Sequence, residues 1–115
     1  MLDEQQLIDQ LRPLGEQGAD IVELWLETLD ERVAAIDTAA AARDTLALAI
    51  AAHTLRGSAM YVGAVRLADS CAEIERQLNR GLTVHAIGPH VRQVEQDADA
   101  TAAALRLVHV QQRRD

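Results

Sequence analysis

Residues 44–63, DTLALAIAAHTLRGSAMYVG, carry the pattern that decides the fold of this 115-residue chain. Apolar residues recur there at steps of three and four, which is the spacing of one buried face on an α-helix. The inward positions are Leu48, Ala51, Leu55, Ala59 and Val62. Asp44 precedes them and is suited to cap the first turn with its carboxylate. The stretch therefore predicts an amphipathic helix over about residues 44–61.

Comparable stripes lie on both sides of this helix, and they predict four more helices. The predicted ranges are about 3–11, 20–41, 64–79 and 89–110. Long amphipathic helices with short connections bury their stripes best in an antiparallel up-down-up-down arrangement. We therefore predict an all-α fold in which one domain spans residues 1–115. It is a four-helix bundle with a short extra N-terminal helix against one end or side.

The ends of these helices carry local signals. Asp20 and Glu23 resemble a capping box at the start of the second long segment. Gly63 permits a tight bend between the third and fourth helices. Gly81 suits the left-handed residue that follows a helix C-terminus. The polar tail, residues 111–115, is expected to fray.

Composition excludes several classes of function. The net charge is −7, from 18 acidic and 11 basic side chains, which argues against a binder of nucleic acid or of anionic membranes. No apolar run approaches the roughly 20 residues that cross a bilayer, and the first residues lack the features of a secretory signal. Cys71 is the only cysteine, which favours a reducing compartment, so we predict a cytoplasmic protein.

One histidine on the helix over 44–61 is predicted to face solvent. At about 100° per residue, Leu55 and Val62 lie roughly opposite His53. If those two side chains face the core, the imidazole points outward. Arg56 and Gly57 follow at i+3 and i+4 and share its exposed face.

The neighbours of His53 suit a reactive imidazole. Arg56 provides a permanent positive charge and several donors within one turn, as a phosphoryl group on the ring would require. Gly57 costs about 1 kcal/mol relative to alanine in a helix interior, and its lack of a side chain leaves room for a docking partner. Ile50 and Met60 lie on the same side and predict an apolar rim. We therefore predict a docking surface that includes Ile50, Gly57 and Met60.

The segment resembles the signature of histidine-containing phosphotransfer domains, H-x-L-K-G-S/A-x-x-x-x-G-A/L followed by further apolar and polar positions. The matching residues, in order, are His53, Leu55, Arg56, Gly57, Ser58, Gly63, Ala64, Leu67, Ile74 and Glu75. The second helix and the lead-in to the third are also similar to the family, so the resemblance extends over most of the chain. The chain departs from the pattern at Arg56, where lysine is commoner.

The resemblance implies a role for three side chains. His53 is expected to accept a phosphoryl group on Nε2 from the aspartate of a receiver domain and to pass it to another receiver. Arg56 is expected to contact the phosphoryl group, and Glu75 to bond the other imidazole nitrogen. A carboxylate that accepts the Nδ1 proton would hold the tautomer in which Nε2 is the nucleophile.

The resemblance also implies partners. They are response-regulator receiver domains and a hybrid sensor histidine kinase, with Mg²⁺ held by the receiver and no cofactor in this chain. The sequence has neither a nucleotide-binding glycine motif nor a metal cluster, so a phosphoryl carrier without kinase activity of its own is expected. We take a monomer as the default. The donor, the acceptor, the direction of phosphate flow and the choice between a free-standing protein and a domain of a hybrid kinase stay open.

Two other functions are alternatives to the carrier. One is an adaptor bundle that binds a receiver or kinase without being phosphorylated. The other is a metal- or cofactor-holding bundle enzyme, which normally needs Glu-x-x-His pairs; none occurs in the sequence. His85, His90 and His109 lack acidic partners at metal-ligand spacing, so no metal site is predicted. Cys71 lies on a buried stripe and is expected to be a small core residue.

Overall fold

The computed structural model describes residues 4–114, which form five α-helices and two short 3₁₀ turns. The helices are α1 (Glu4–Leu11), α2 (Glu16–Ala41), α3 (Thr45–Val62), α4 (Val65–Asn79) and α5 (Gly88–Arg114). The 3₁₀ turns, Arg12–Leu14 and His85–Ile87, precede α2 and α5. Strong helix formers dominate the chain, and in this part of it no strand forms.

Helices α2 to α5 form an antiparallel up-down-up-down bundle, as predicted. Each packs on its neighbours around a core that contains Ile36, Leu48, Leu55, Leu67, Ile74 and Val94. The short α1 packs on α5 at one end of the bundle and completes a second apolar cluster. That cluster contains Leu7, Leu11, Val22, Leu105 and Val108. None of the described helices is long and apolar enough to cross a membrane.

Helix α3 has the rotational phase and the ends that the sequence predicts. Leu48 and Leu55 are fully buried. The Ala47 N–H donates to the Asp44 carboxylate over 3.0 Å, which satisfies one of the free amides at the helix start. At the other end Gly63 takes φ +78°, a conformation that favours glycine, and the chain turns directly into α4. Both ends of the helix that carries His53 are therefore fixed by local chemistry.

Helix α2 begins four residues earlier than predicted, and the capping role of Asp20 is wrong. The helix starts at Glu16 after Gly15, whose φ is +55° and which provides no side-chain cap. Asp20 lies inside the helix. The additional turn is stabilised by tertiary packing, because Gly18 and Ala19 are buried there. Burial of these small residues outweighs the local capping signal.

The predicted fraying of the C-terminal tail is also wrong for the residues that the structure describes. Helix α5 continues to Arg114, and the Gln112 side chain is only 1% exposed. Its Nε2 donates to the Leu11 carbonyl over 2.7 Å and to the Gly15 carbonyl over 3.2 Å. These carbonyls lie at the junction of α1 and α2, so the end of α5 is held there. The predicted start of the first helix at residue 3 and the last tail residue, 115, lie outside the described residues.

Candidate functional site

His53 projects from the middle of α3 into solvent. Its side chain is 68% exposed, whereas Leu55, two residues on, is completely buried. The predicted phase of the helix is therefore correct around the candidate residue. An exposed imidazole can be approached by a second macromolecule without any opening of the core.

Two side chains contact the ring on the side that faces α4. The Arg56 Nη2 atom lies 2.9 Å from His53 Nδ1, and Glu75 Oε2 lies 3.3 Å from the same nitrogen. Arg56 also pairs with Glu75, since its Nε is 2.9 Å from Oε1. The structure thus brings together the three residues that the sequence singled out. Within residues 4–114, no group hydrogen-bonds the other ring nitrogen, Nε2.

Glu75 reaches this position because α4 packs antiparallel on α3. Its neighbour Ile74 is buried in the core, and Cys71, one turn earlier, is fully buried as predicted. The Glu75 side chain is 25% exposed, and Oε1 is buried without a well-aligned hydrogen bond. Burial, with a smaller contribution from the Glu75 carboxylate, raises the pKa of Cys71 to about 12. The thiol therefore stays protonated and is no competing nucleophile beside the site.

The exposed surface around His53 is apolar. Ile50 and Met60 are exposed, and a Cβ added at Gly57 would meet nothing within 4 Å. The structure adds two exposed apolar side chains that sequence reasoning missed, Leu46 and Tyr61. They lie seven residues before and eight residues after His53, about 20° and 80° from it around the helix, and this spacing could have revealed them.

A cleft of about 330 Å³ opens beside Gly57 between α2 and α3. Its apolar floor is formed by Leu29, Leu55, Ala59, Leu67 and Leu105. Trp25 and Tyr61 stand at its mouth with ring centroids 5.9 Å apart and planes at 78°, an edge-to-face arrangement. Ser58 also lines the cleft and donates to the Thr54 carbonyl, as a backbone-bonding residue does.

A second histidine cluster lies between α2 and α5, and sequence reasoning missed it. His109 Nε2 is 2.9 Å from Glu23 Oε1, and Arg113 Nη2 is 3.0 Å from the same oxygen. Like the site at His53, this cluster combines a histidine, an arginine and a glutamate. However, the His109 side chain is only 19% exposed, and its Nε2 contacts Glu23. The cluster joins two helices, and its imidazole is far less accessible than that of His53. No signal in the sequence linked Glu23 to residues 86 and 90 positions further along the chain.

The Glu23 contacts predict a pH-dependent contribution to stability. Hydrogen bonds from Arg113 and then His109 hold the pKa of Glu23 below its ordinary value. A lowered carboxyl pKa stabilises the folded state above the ordinary value, and this contribution is lost as the pH falls through the folded pKa. We therefore expect Glu23→Gln to lower the melting temperature at neutral pH and to have a progressively smaller effect below about pH 4. Thermal unfolding across pH checks this, with Glu27→Gln on the same helix as the control; an effect that is constant with pH would contradict it.

Metal ligation has no support in the described part of the chain. No group of three or more histidine, cysteine, aspartate or glutamate side chains in residues 4–114 is placed to hold a metal ion. The candidate site consists of one exposed imidazole, one guanidinium and one carboxylate beside an apolar surface.

Comparisons with known proteins agree with this fold. The histidine-containing phosphotransfer protein B of Pseudomonas aeruginosa PAO1 superposes with a TM-score of 0.80 at 23% identity, over 94% of this chain and 93% of that one. The HPT domain of a sensor hybrid histidine kinase from Shewanella superposes with a TM-score of 0.73, also at 23% identity, over 93% and 92%. No curated protein matches the chain significantly.

The four-helix bundle, with its exposed imidazole beside a guanidinium and a carboxylate, has the arrangement that the motif around His53 predicts. The sequence model of the Hpt domain family matches residues 20–107, most of the chain. The chain therefore belongs to the Hpt domain family, as the motif around His53 predicts, and functions as a phosphocarrier in phosphorelay signal transduction.

Proposed function

We propose that His53 is the residue that carries the phosphoryl group. The observation that supports this most directly is an imidazole that is 68% exposed, with Nε2 free and with Nδ1 within reach of Arg56 and Glu75. The donor is the acyl phosphate on a receiver aspartate, and the acceptor is the aspartate of another receiver.

The proposed transfer is a displacement at phosphorus. The Nε2 lone pair of neutral His53 attacks, the bond from phosphorus to the aspartyl oxygen breaks, and the aspartate leaves as a carboxylate. The product ring carries the phosphoryl group on Nε2 and the proton on Nδ1, with positive charge that the Glu75 carboxylate can stabilise. Arg56 neutralises charge on the phosphoryl oxygens. The reverse reaction returns the group to a receiver.

Removal of the Glu75 charge should slow the chemical step rather than binding. We expect Glu75→Gln to lower the rate constant for phosphoryl acceptance roughly ten- to a hundredfold, the range that misplacement of a reacting group can cost. The receiver concentration at half-maximal rate should change little, because Glu75 contacts Nδ1 from the α4 side of the ring, away from the apolar surface. Rapid-quench transfer from a labelled receiver separates the two quantities. Glu73→Gln, two residues earlier on α4, is the matched control; an effect confined to receiver affinity would contradict the proposal.

The proposed docking surface has a polar side and an apolar side. At about 100° per residue, Ile50, Gly57 and Tyr61 are displaced about 40–80° from His53 around α3. These residues border the groove with α2, since they line its hollows. Arg56 is displaced to the opposite side, towards Glu75 on α4. We therefore expect a receiver to place its apolar contacts over the α2–α3 groove, while its phosphorylated aspartate lies above the ring.

The role of His53 also implies partners, a metal source and a compartment. The partners are receiver domains of response regulators and of a hybrid sensor histidine kinase. Mg²⁺ is supplied by the receiver, because phosphoryl transfer is largely positioning and charge neutralisation and this site offers one carboxylate. The chain acts as a monomer in the cytoplasm, without kinase activity of its own.

The test is transfer from a receiver that carries a labelled phosphoryl group. We expect label on this chain that survives alkaline conditions and is lost after brief acid treatment, as a phosphorus–nitrogen bond requires. Incubation with labelled ATP alone should leave the chain unlabelled. A folded protein that stays unlabelled with several receivers would instead favour an adaptor that binds without phosphorylation.

A further inference from the structure

His53 Nδ1 is approached by two groups with opposite requirements. The Arg56 guanidinium has only donors, whereas the Glu75 carboxylate has only acceptor atoms. A neutral imidazole nitrogen carries either a lone pair or a proton, so Nδ1 can bond only one of them at a time. The choice decides where the ring proton is, and therefore whether Nε2 has the lone pair that attacks phosphorus.

The distances favour Arg56 in the unphosphorylated protein. Arg56 Nη2 lies 2.9 Å from Nδ1, a normal hydrogen-bond length, while Glu75 Oε2 is 3.3 Å away. The Arg56 Nε atom is also 2.9 Å from Glu75 Oε1, so the guanidinium lies against one oxygen of the carboxylate as well as against the ring nitrogen. When Nδ1 accepts from Arg56, the ring proton resides on Nε2, and that nitrogen is not nucleophilic.

We propose that Arg56 is a positioning residue that holds unphosphorylated His53 in its Nε2–H tautomer, and that an incoming phosphoryl group releases it. This inference rests on the proposed function of His53. A phosphoryl dianion is a stronger partner for a guanidinium than a neutral ring nitrogen is, because charge and paired acceptors favour it. Once Arg56 turns to the phosphoryl oxygens, Nδ1 is free to carry the proton and donate it to Glu75.

The proton exchange needs no further protein group. The ring is 68% exposed, so one proton can leave Nε2 to water while another arrives from water at Nδ1. The total number of protons on the ring is unchanged, and Nε2 gains the lone pair. The consequence is that the reactive tautomer is the minor form in the free carrier and becomes favoured when a phosphoryl group arrives.

The inference is tested by NMR. Correlations between ring ¹⁵N and ¹H nuclei in histidine-labelled protein at alkaline pH show which nitrogen of His53 carries the proton. We expect the wild type to hold the proton on Nε2 more completely than exposed His85, which serves as the reference in the same spectrum. Arg56→Met removes the donors, and the population with the proton on Nδ1 should then rise about tenfold, the factor that one hydrogen bond of ordinary net strength supplies. The His109 signals report on folding, because that ring is held between α2 and α5.

A second variant tests independently whether Arg56, rather than Glu75, sets the tautomer of His53. Glu75→Met removes the acceptor and the ion pair of Arg56 with Oε1 but leaves the Arg56 donors next to Nδ1, so the Nε2–H tautomer should persist. A wild-type ring with its proton on Nδ1, an unchanged ratio in folded Arg56→Met, or loss of the Nε2–H form in Glu75→Met would each overturn the inference. If the wild type nevertheless accepts phosphate, the proposed function stands and only the role of Arg56 falls. If it accepts none, the proposed function falls, and the spectra still decide the tautomer.

Discussion

His53→Gln is expected to reduce phosphoryl acceptance from a labelled receiver to background. Glutamine is similar in size and polarity but has no ring nitrogen lone pair, so no bond to phosphorus can form. The other three histidines remain in this variant, so any label that persists on the chain must lie elsewhere. Alkaline gel analysis of the wild type and the variant side by side measures the loss.

The same substitution should leave the fold nearly unchanged. The His53 ring is 68% exposed and belongs to neither apolar cluster of the bundle. Its contacts with Arg56 and Glu75 are near the surface, where such pairs contribute at most about 1 kcal/mol. We therefore expect the melting temperature of His53→Gln to lie within a few degrees of the wild type.

His109→Gln is the matched control for this experiment. It removes a histidine that also contacts a glutamate and an arginine, but whose ring is only 19% exposed. It should retain phosphoryl acceptance and lose some stability, the reverse of the result at His53. Acceptance by His53→Gln, or its loss in folded His109→Gln, would show that the carrier residue has been assigned to the wrong ring.

Helix phase and helix ends are predicted best where a local sequence pattern is not outweighed by tertiary contacts. The phase of α3 follows from a single stripe that contains Leu48 and Leu55, and that phase alone exposes His53. Asp44 and Gly63 mark the two ends of the same helix through capping and a left-handed turn, and both occur as predicted. The family motif adds Glu75, whose position on another helix could not be derived from the periodicity of α3.

The missed features depend on contacts between residues that are far apart in the chain. Gln112 looks like a tail residue by composition, but it lies beside the α1–α2 junction once α5 is docked. The spacing of Glu23 from Asp20 predicts a capping box, whereas Glu23 bonds His109 on α5. In both cases a tertiary hydrogen bond outweighs a local preference, and the sequence does not specify such partners. The tautomer of His53 likewise depends on two side chains at interatomic distances that no motif contains.

The second large effect is expected at Gly18, where α2 passes close to Gln112. A Cβ added at this glycine would lie 2.5 Å from Gln112 Nε2, 3.0 Å from the Leu11 carbonyl oxygen and 3.2 Å from Leu11 Cβ. The Gln112 amide would have to move, which removes its hydrogen bond to the Leu11 carbonyl. Overpacking costs about 1–3 kcal/mol, and an unsatisfied buried group costs about 1–3 kcal/mol more.

We therefore expect Gly18→Ala to lower the free energy of unfolding by about 1–5 kcal/mol, net of the gain in helix propensity. Gly57→Ala is the matched control, because that glycine also lies in a helix but has open space around its Cβ. It should stabilise the fold by up to about 1 kcal/mol. Urea unfolding of the two variants gives both values, and equal effects would contradict the assigned close approach.

A double-mutant cycle identifies Gln112 as the cause. Gln112→Ala alone should cost about 1–3 kcal/mol, because it leaves the Leu11 carbonyl without its donor. In that background the space taken by the amide is empty, so Gly18→Ala should cost at least about 1 kcal/mol less than it does in the wild type. Strict additivity would locate the strain at Leu11 instead. Phosphoryl acceptance by the folded fraction of each variant should stay at the wild-type level, because this contact lies where α1, α2 and α5 meet, apart from the α3–α4 pair that holds His53 and Glu75.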